Sequence, residues 1–220
     1  MGKSMNRSYD EIYLDDAMSN LGAAFEVAKY SFGYAINDFL DIFIKSDVSN
    51  SFQKGNPKYV TGKSGFELVQ DVLIKNNDMY LIQEPTPMYD YSKEYWCGWM
   101  YAYLQWYFNV SFKKLRNYLD MNDLQKLYPT LHEVSLHKAI STIKKYITNK
   151  NMPTNLQRLR LNHNISQSKL AEVSGVSLRM IQQYEQKQKD INKASVSSLY
   201  ELAKALDCDI EDIMELNIDN

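Results

Sequence analysis

Ser166-Gln-Ser-Lys-Leu170-Ala171-Glu-Val-Ser-Gly175-Val176-Ser177-Leu-Arg-Met-Ile181-Gln-Gln-Tyr184-Glu185 is the stretch on which the reading of this chain turns. Nearly every position in it has a mechanical reason. Ser166 stands where a helix needs an N-cap, its hydroxyl oxygen accepting from a free first-turn amide. Ala171 is small, as two closely approaching helices require. Gly175 supplies the positive φ of a short turn, a conformation costly for residues with a Cβ. Val176 fills the turn and Ser177 caps the next helix. Ile181 and Tyr184 share the inward face of that helix, which leaves Leu178, Arg179, Gln182 and Gln183 outside.

Working outward, Leu156, Leu159 and Leu161 mark a helix before this stretch. Leu199, Leu202, Ala203 and Leu206, then Ile210, Ile213 and Met214, mark two more after it. Five short helices over residues 154–217 make a compact all-α bundle. From Asn155 to Leu216 the chain resembles the lambda-repressor/Cro-type (xenobiotic-response-element-type) helix-turn-helix family. The resemblance implies that Ser177–Gln186 is a recognition helix lying in the major groove of double-stranded DNA. It places Leu178, Arg179 and Gln183 at base-contacting positions, with Gln182 on the same exposed face. Arginine can donate two bonds to guanine, glutamine can pair with adenine, and leucine can cover a thymine methyl. Gln167 falls where the family's glutamine meets a phosphate, and Ser177, Lys169, Lys187, Lys189 and Lys193 are candidate backbone contacts. Arg160 and Glu185 match a structural ion pair of the family. One departure stands out: the family's Glu-x-Gly is here Glu185-Gln-Lys187, without the glycine and followed by a longer loop.

The charge balance conceals this. With 25 Lys+Arg against 27 Asp+Glu the 220-residue chain carries −2, which read as a total argues against nucleic acid. From Asn155 to Lys193, however, seven bases face three acids, giving +4, while Ala194–Asn220 holds one base and seven acids, giving −6. One side of the small domain is therefore suited to displacing counterions from DNA. So few bases bind weakly as a single module, so a homodimer on a palindromic operator is expected.

Upstream the composition changes. Of 28 aromatic residues only Tyr184 and Tyr200 lie beyond position 150, a break that implies two domains with different cores. The boundaries read as 8–148 for an aromatic-rich helical domain, 149–153 for a polar linker closed by Pro153, and 154–217 for the DNA-binding bundle. In the upstream domain Ser8-x-x-Glu11, Ser64-x-x-Glu67 and Thr130-x-x-Glu133 have capping-box spacing. Trp96, Trp99, Tyr103, Trp106 and Tyr107 recur at helical spacing and predict one broad apolar face. Gly33, Gly55-Asn-Pro57 and Glu84-Pro-Thr-Pro87 read as turns.

Several features have plainer explanations than chemistry. Thr61-Gly-Lys-Ser64-Gly65 lacks the earlier glycine and the strand of a phosphate-binding loop, so Ser64 reads as a helix cap. His132-Glu-x-x-x-His137 puts its imidazoles on different helix faces, and no metal or other cofactor is expected. Cys97 reads as a small core residue and His163 as a helix-end residue. Lys138, Lys144, Lys145 and Lys150 give the last upstream helix a basic, solvated face. No nucleophile–base or paired-carboxylate constellation is recognisable, so the chain is not expected to be an enzyme. No run of about 18 apolar residues exists to span a bilayer, Met1–Glu11 lacks a secretory core, and two distant cysteines suit a reducing cytoplasm. The opening Met1-Gly-Lys-Ser4 ahead of Met5 has the look of a cloning remnant.

For the upstream domain three roles compete. Asn56-Pro57-Lys58-Tyr59-Val60 and Tyr95-Trp-Cys-Gly-Trp99 are similar to segments that precede such modules beside toxin-like genes, which implies an antitoxin and autorepressor binding a co-encoded toxin. The aromatic cluster alternatively lines a ligand pocket. In the third role the domain only dimerises. A helix-turn-helix remnant that binds protein instead of DNA is the remaining competitor.

Overall fold

The computed structural model describes residues 7–76 and 91–218. Met1–Ser4 and the expected turn at Glu84–Pro87 lie outside them. All regular structure among the described residues is helical, and the chain divides into two compact units, residues 1–147 and 148–220.

In the first unit α1 (Leu14–Tyr30) and α6 (Lys93–Phe108) form the central pair, and α5 (Gly65–Lys75) packs on the same α1. Small residues permit the close approach. A Cβ added to Gly98 of α6 would stand 2.5 Å from the Leu21 carbonyl oxygen of α1, and one added to Gly65 only 2.5 Å from the Ala23 Cβ. Around this pair lie α2 (Ile36–Lys45), α3 (Asp47–Gln53), α4 (Pro57–Val60), α7 (Phe112–Arg116), α8 (Met121–Leu131) and α9 (Leu136–Asn149). Phe25, Phe39, Phe43, Phe52, Tyr101 and Phe112 are fully buried together, Phe43 meeting Phe112 edge-on at 5.1 Å between centroids. Edge-to-face pairs of this kind add to the gain from burial alone.

The aromatic face expected on α6 is only half of what the helix buries. Trp96 and Trp106 are buried and Trp99, Tyr103 and Tyr107 half-buried, but Cys97, Met100, Tyr101, Ala102 and Leu104 are buried as well. A helix surrounded by others is apolar all round, so its periodicity understates its burial. Burial also pushes the Cys97 thiol up to about 12, which makes it an inert core residue.

Of the three expected capping boxes, Ser64 and Glu67 form one at the start of α5. The other two do not. Asp10, not Ser8, caps the short 3-10 turn Glu11–Tyr13, while Ser8 bonds Asn109 and Gln105 across the fold. Thr130 lies inside α8 with its hydroxyl donated to Leu127 O, because α8 runs through Pro129 to Leu131. The box that starts α8 is Asp120 with Asp123, where a shorter acid takes the place of the usual glutamate. Gly33 and Gly55 both hold positive φ, as turns at those positions require.

The described residues of the second unit form five helices, α10 (Asn155–Asn162), α11 (Gln167–Ser174), α12 (Leu178–Glu185), α13 (Val196–Ala205) and α14 (Ile210–Ile213), with a 3-10 turn at Ile191–Lys193. Their shared core contains Leu156, Leu170, Ile181, Tyr184, Ile191, Leu199, Leu202, Leu206 and Ile213. The fold is all-α throughout the described residues, with a helix-turn-helix region at its C-terminal end.

Candidate nucleic-acid interface

Local sequence builds the α11–turn–α12 corner. Ser166 Oγ accepts from the Lys169 amide and starts α11. Gly175 ends it at φ +68, its amide donating to Ala171 O. A Cβ at Gly175 would meet nothing within 4 Å, so the requirement there is the backbone angle and not space. Val176 packs against the core from the turn, and Ser177 Oγ accepts from the Met180 amide to start α12. Ile181 and Tyr184 are buried under the helix.

That register fixes the outer face. Leu178 and Arg179 are exposed on the first turn of α12, and Gln182 and Gln183 are half-buried one turn later. Among the described residues the side chains of Arg179, Gln182 and Gln183 make no hydrogen bond, so their donors and acceptors are available to a ligand. A leucine, an arginine and two glutamines at one helix end offer a methyl contact and bidentate hydrogen bonding together.

Behind this face the Arg160–Glu185 pair joins α10 to α12. Nε donates to Oε1 at 2.7 Å and Nη2 to Oε2 at 2.9 Å, while Nη1 donates to Ile165 O at 2.7 Å. Hydrogen bonding to Glu185 holds the Arg160 pKa above its ordinary value. Gln167 joins the same network, Nε2 donating to Glu185 Oε2 at 2.7 Å. One N–H of its side-chain amide is thus engaged inside the protein, and what α11 offers a phosphate at this end is the other N–H together with the free amides of its first turn.

The lysines differ in their commitments. Lys169 pairs with Glu172 at 2.8 Å and Lys193 with Asp190 at 3.6 Å, both on exposed surface where such pairs exchange readily. Lys187 Nζ donates to Met152 O, and Lys189 Nζ rests 3.5 Å from Met180 Sδ. Lys187 also explains the missing glycine: it follows the cap of α12 at φ +57. Every other left-handed position among the described residues is glycine, asparagine or aspartate.

A clasp that sequence reasoning missed steadies this loop. Asn192 Oδ1 accepts from the Glu215 amide at 2.8 Å and Asn192 Nδ2 donates to Glu215 O, while Glu215 Oε1 accepts from the Asn155 amide. The 3-10 turn, the start of α10 and the segment after α14 are thereby tied together. Nothing in local spacing links residues 60 positions apart, so no sequence signal marked it.

This corner, its capped helices and its buried Arg160–Glu185 pair define a lambda-repressor/Cro-type helix-turn-helix domain. The helix-turn-helix family model matches residues 156–213, and this domain supports a DNA-binding transcription regulator. No curated protein and no solved structure matches the chain. No helix among the described residues is long and apolar enough to cross a membrane.

Proposed function

We propose that the chain reads a palindromic operator as a homodimer, with α12 in the major groove of each half-site. Leu178 covers a thymine methyl, Arg179 takes guanine O6 and N7, and Gln182 and Gln183 pair with adenine. Ser177, Lys169, Lys187, Lys189, Lys193 and the first-turn amides of α11 at Gln167 contact the backbone. The observation that carries this is the uncommitted Arg179/Gln182/Gln183 face on a helix whose other side is locked by Ile181, Tyr184 and Glu185. Two half-sites lie about 34 Å apart, one helical turn. The chain acts by binding and carries out no catalysis of its own. Footprinting on the chain's own promoter tests the operator; protection without a two-fold pattern contradicts the dimer, equal binding to random DNA contradicts base readout, and no DNA binding at all supports a protein-binding remnant instead.

The role proposed for the upstream domain is that of an antitoxin, neutralising a co-encoded protein toxin while the chain represses its own operon. The likeness of Asn56–Val60 and Tyr95–Trp99 to segments beside toxin-like genes supports it. Expression of the adjacent gene should arrest growth, and co-expression of this chain should restore it. Arrest without rescue, together with no complex on co-purification, contradicts the role. A second reading, ligand sensing, is favoured by a half-open aromatic cleft of about 510 Å³ in the same domain.

A further inference from the structure

The cleft lies where the start of α6 meets the end of α8. Six rings line it: Tyr91, Tyr95, Trp96, Trp99, Tyr128 and His132. They are arranged as pairs. Tyr91 stacks on Tyr95 with centroids 4.2 Å apart and planes at 25°, and Tyr128 stacks on His132 at 4.5 Å and 24°. Trp96 meets Tyr128 edge-on at 5.5 Å. Elsewhere in this unit Phe25, Phe39, Phe43, Phe52 and Phe112 are sealed completely, whereas Tyr91 is 77% exposed and Trp99 and Tyr95 are half-open. Volume and lining fall within the range of small-molecule sites, which combine apolar walls with a few polar groups.

The charge around the cleft is negative. No lysine or arginine is among the described residues that line it. Glu26 of α1 is buried and accepts from the amide of Ser92, itself a lining residue, at 2.9 Å. Among the described residues no cation pairs with Glu26. Burial chiefly raises the pKa of the lining Tyr95 hydroxyl. Glu94, also buried, is already engaged by Tyr30, Gln125 and Lys93. A buried carboxylate without a counter-ion, one hydrogen bond behind a wall of aromatic rings, favours positive charge in the cleft, since aromatic faces also attract cations.

We propose that this cleft is a binding site for a planar aromatic cation, its ring against the aromatic walls and its charge attracted by Glu26 behind Ser92. The site itself is independent of what the domain does; only a consequence at the operator rests on the ligand-sensing reading. The test uses the full chain and three planar tricyclic probes: proflavine as the cation, phenazine as the neutral compound and anthraquinone-2-sulfonate as the anion. Tryptophan quenching and calorimetry should show one proflavine per chain, bound about tenfold more tightly than phenazine, with no binding of the sulfonate. Tyr91→Ala, at an exposed position, should weaken proflavine about fivefold without shifting the melting temperature. Glu26→Gln should bring proflavine and phenazine to similar affinity in a chain that still melts cooperatively. Equal affinity for all three probes, absence of proflavine binding, or no effect of Tyr91→Ala would overturn the site. Proflavine binding with operator affinity unchanged supports the site and contradicts ligand sensing.

Discussion

Lys187 shows how much one backbone angle carries. At φ +57 a residue with a Cβ is strained by about 1–2 kcal/mol, and the chain bears this where its relatives by resemblance place glycine. Part of the compensation is the bond from Lys187 Nζ to Met152 O, an exposed contact of small worth. Lys187→Gly should therefore raise the melting temperature by a few degrees while removing one phosphate contact. A lower melting temperature would show that the lysine bond outweighs the strain. The residue types of the reading face were legible in sequence, since capping serines, Gly175 and the Ile181/Tyr184 spacing fix which side of α12 faces out. The engagement of Gln167 with Glu185 was not, because a glutamine at the first position of a helix looks the same whether it meets a phosphate or a buried carboxylate.

At the scale of elements, the α1–α6 pair depends on close approach. Gly98→Ala would drive a Cβ to within 2.5 Å of the Leu21 carbonyl, an overpacking that typically costs about 1–3 kcal/mol. Denaturant unfolding should show that loss; an unchanged midpoint would mean the helices slide apart freely. The cap of α5 makes a separate, pH-dependent contribution. Bonds from the Ser64 amide and hydroxyl hold the Glu67 pKa below its ordinary value of 4.5. The folded state thus favours the carboxylate, so the contribution is full above about pH 4.5 and is lost as pH falls through the lowered value. The stability difference between the natural chain and Glu67→Gln should shrink in acid, and a difference constant from pH 3 to 7 would contradict the cap. Capping spacing identified this box but misplaced two others. Ser8 and Thr130 satisfy the same spacing, yet Ser8 is taken by Asn109 and Gln105, and Thr130 sits in a helix already begun at Asp120. Local pattern cannot weigh such long-range partners.

Over the whole molecule the net charge of −2 is a cancellation, with +4 over Asn155–Lys193 offset by −6 beyond. Binding should therefore be salt-sensitive despite the acidic total. Lys189→Ala should weaken operator and random DNA alike and reduce the slope of log affinity against log salt by about 1. An unaltered slope would remove Lys189 from the backbone contacts. The all-α class, the five C-terminal helices and the buried Arg160–Glu185 pair were readable from spacing and resemblance. The aromatic cleft was legible only as an alternative to core packing: helical periodicity marks Trp96 and Trp99 as apolar but says nothing of how far the end of α8 stands from them.

The central claim is that α12 reads base edges. The most direct measurement is the ratio of affinities for the chain's selected operator and for random duplex of equal length, at one salt concentration, in the natural chain and in Gln183→Ala. The account predicts a loss of about 1–3 kcal/mol on the operator and almost none on random DNA, so that the ratio falls roughly 5- to 150-fold. Equal losses on both duplexes, leaving the ratio unchanged, would contradict base readout by this helix.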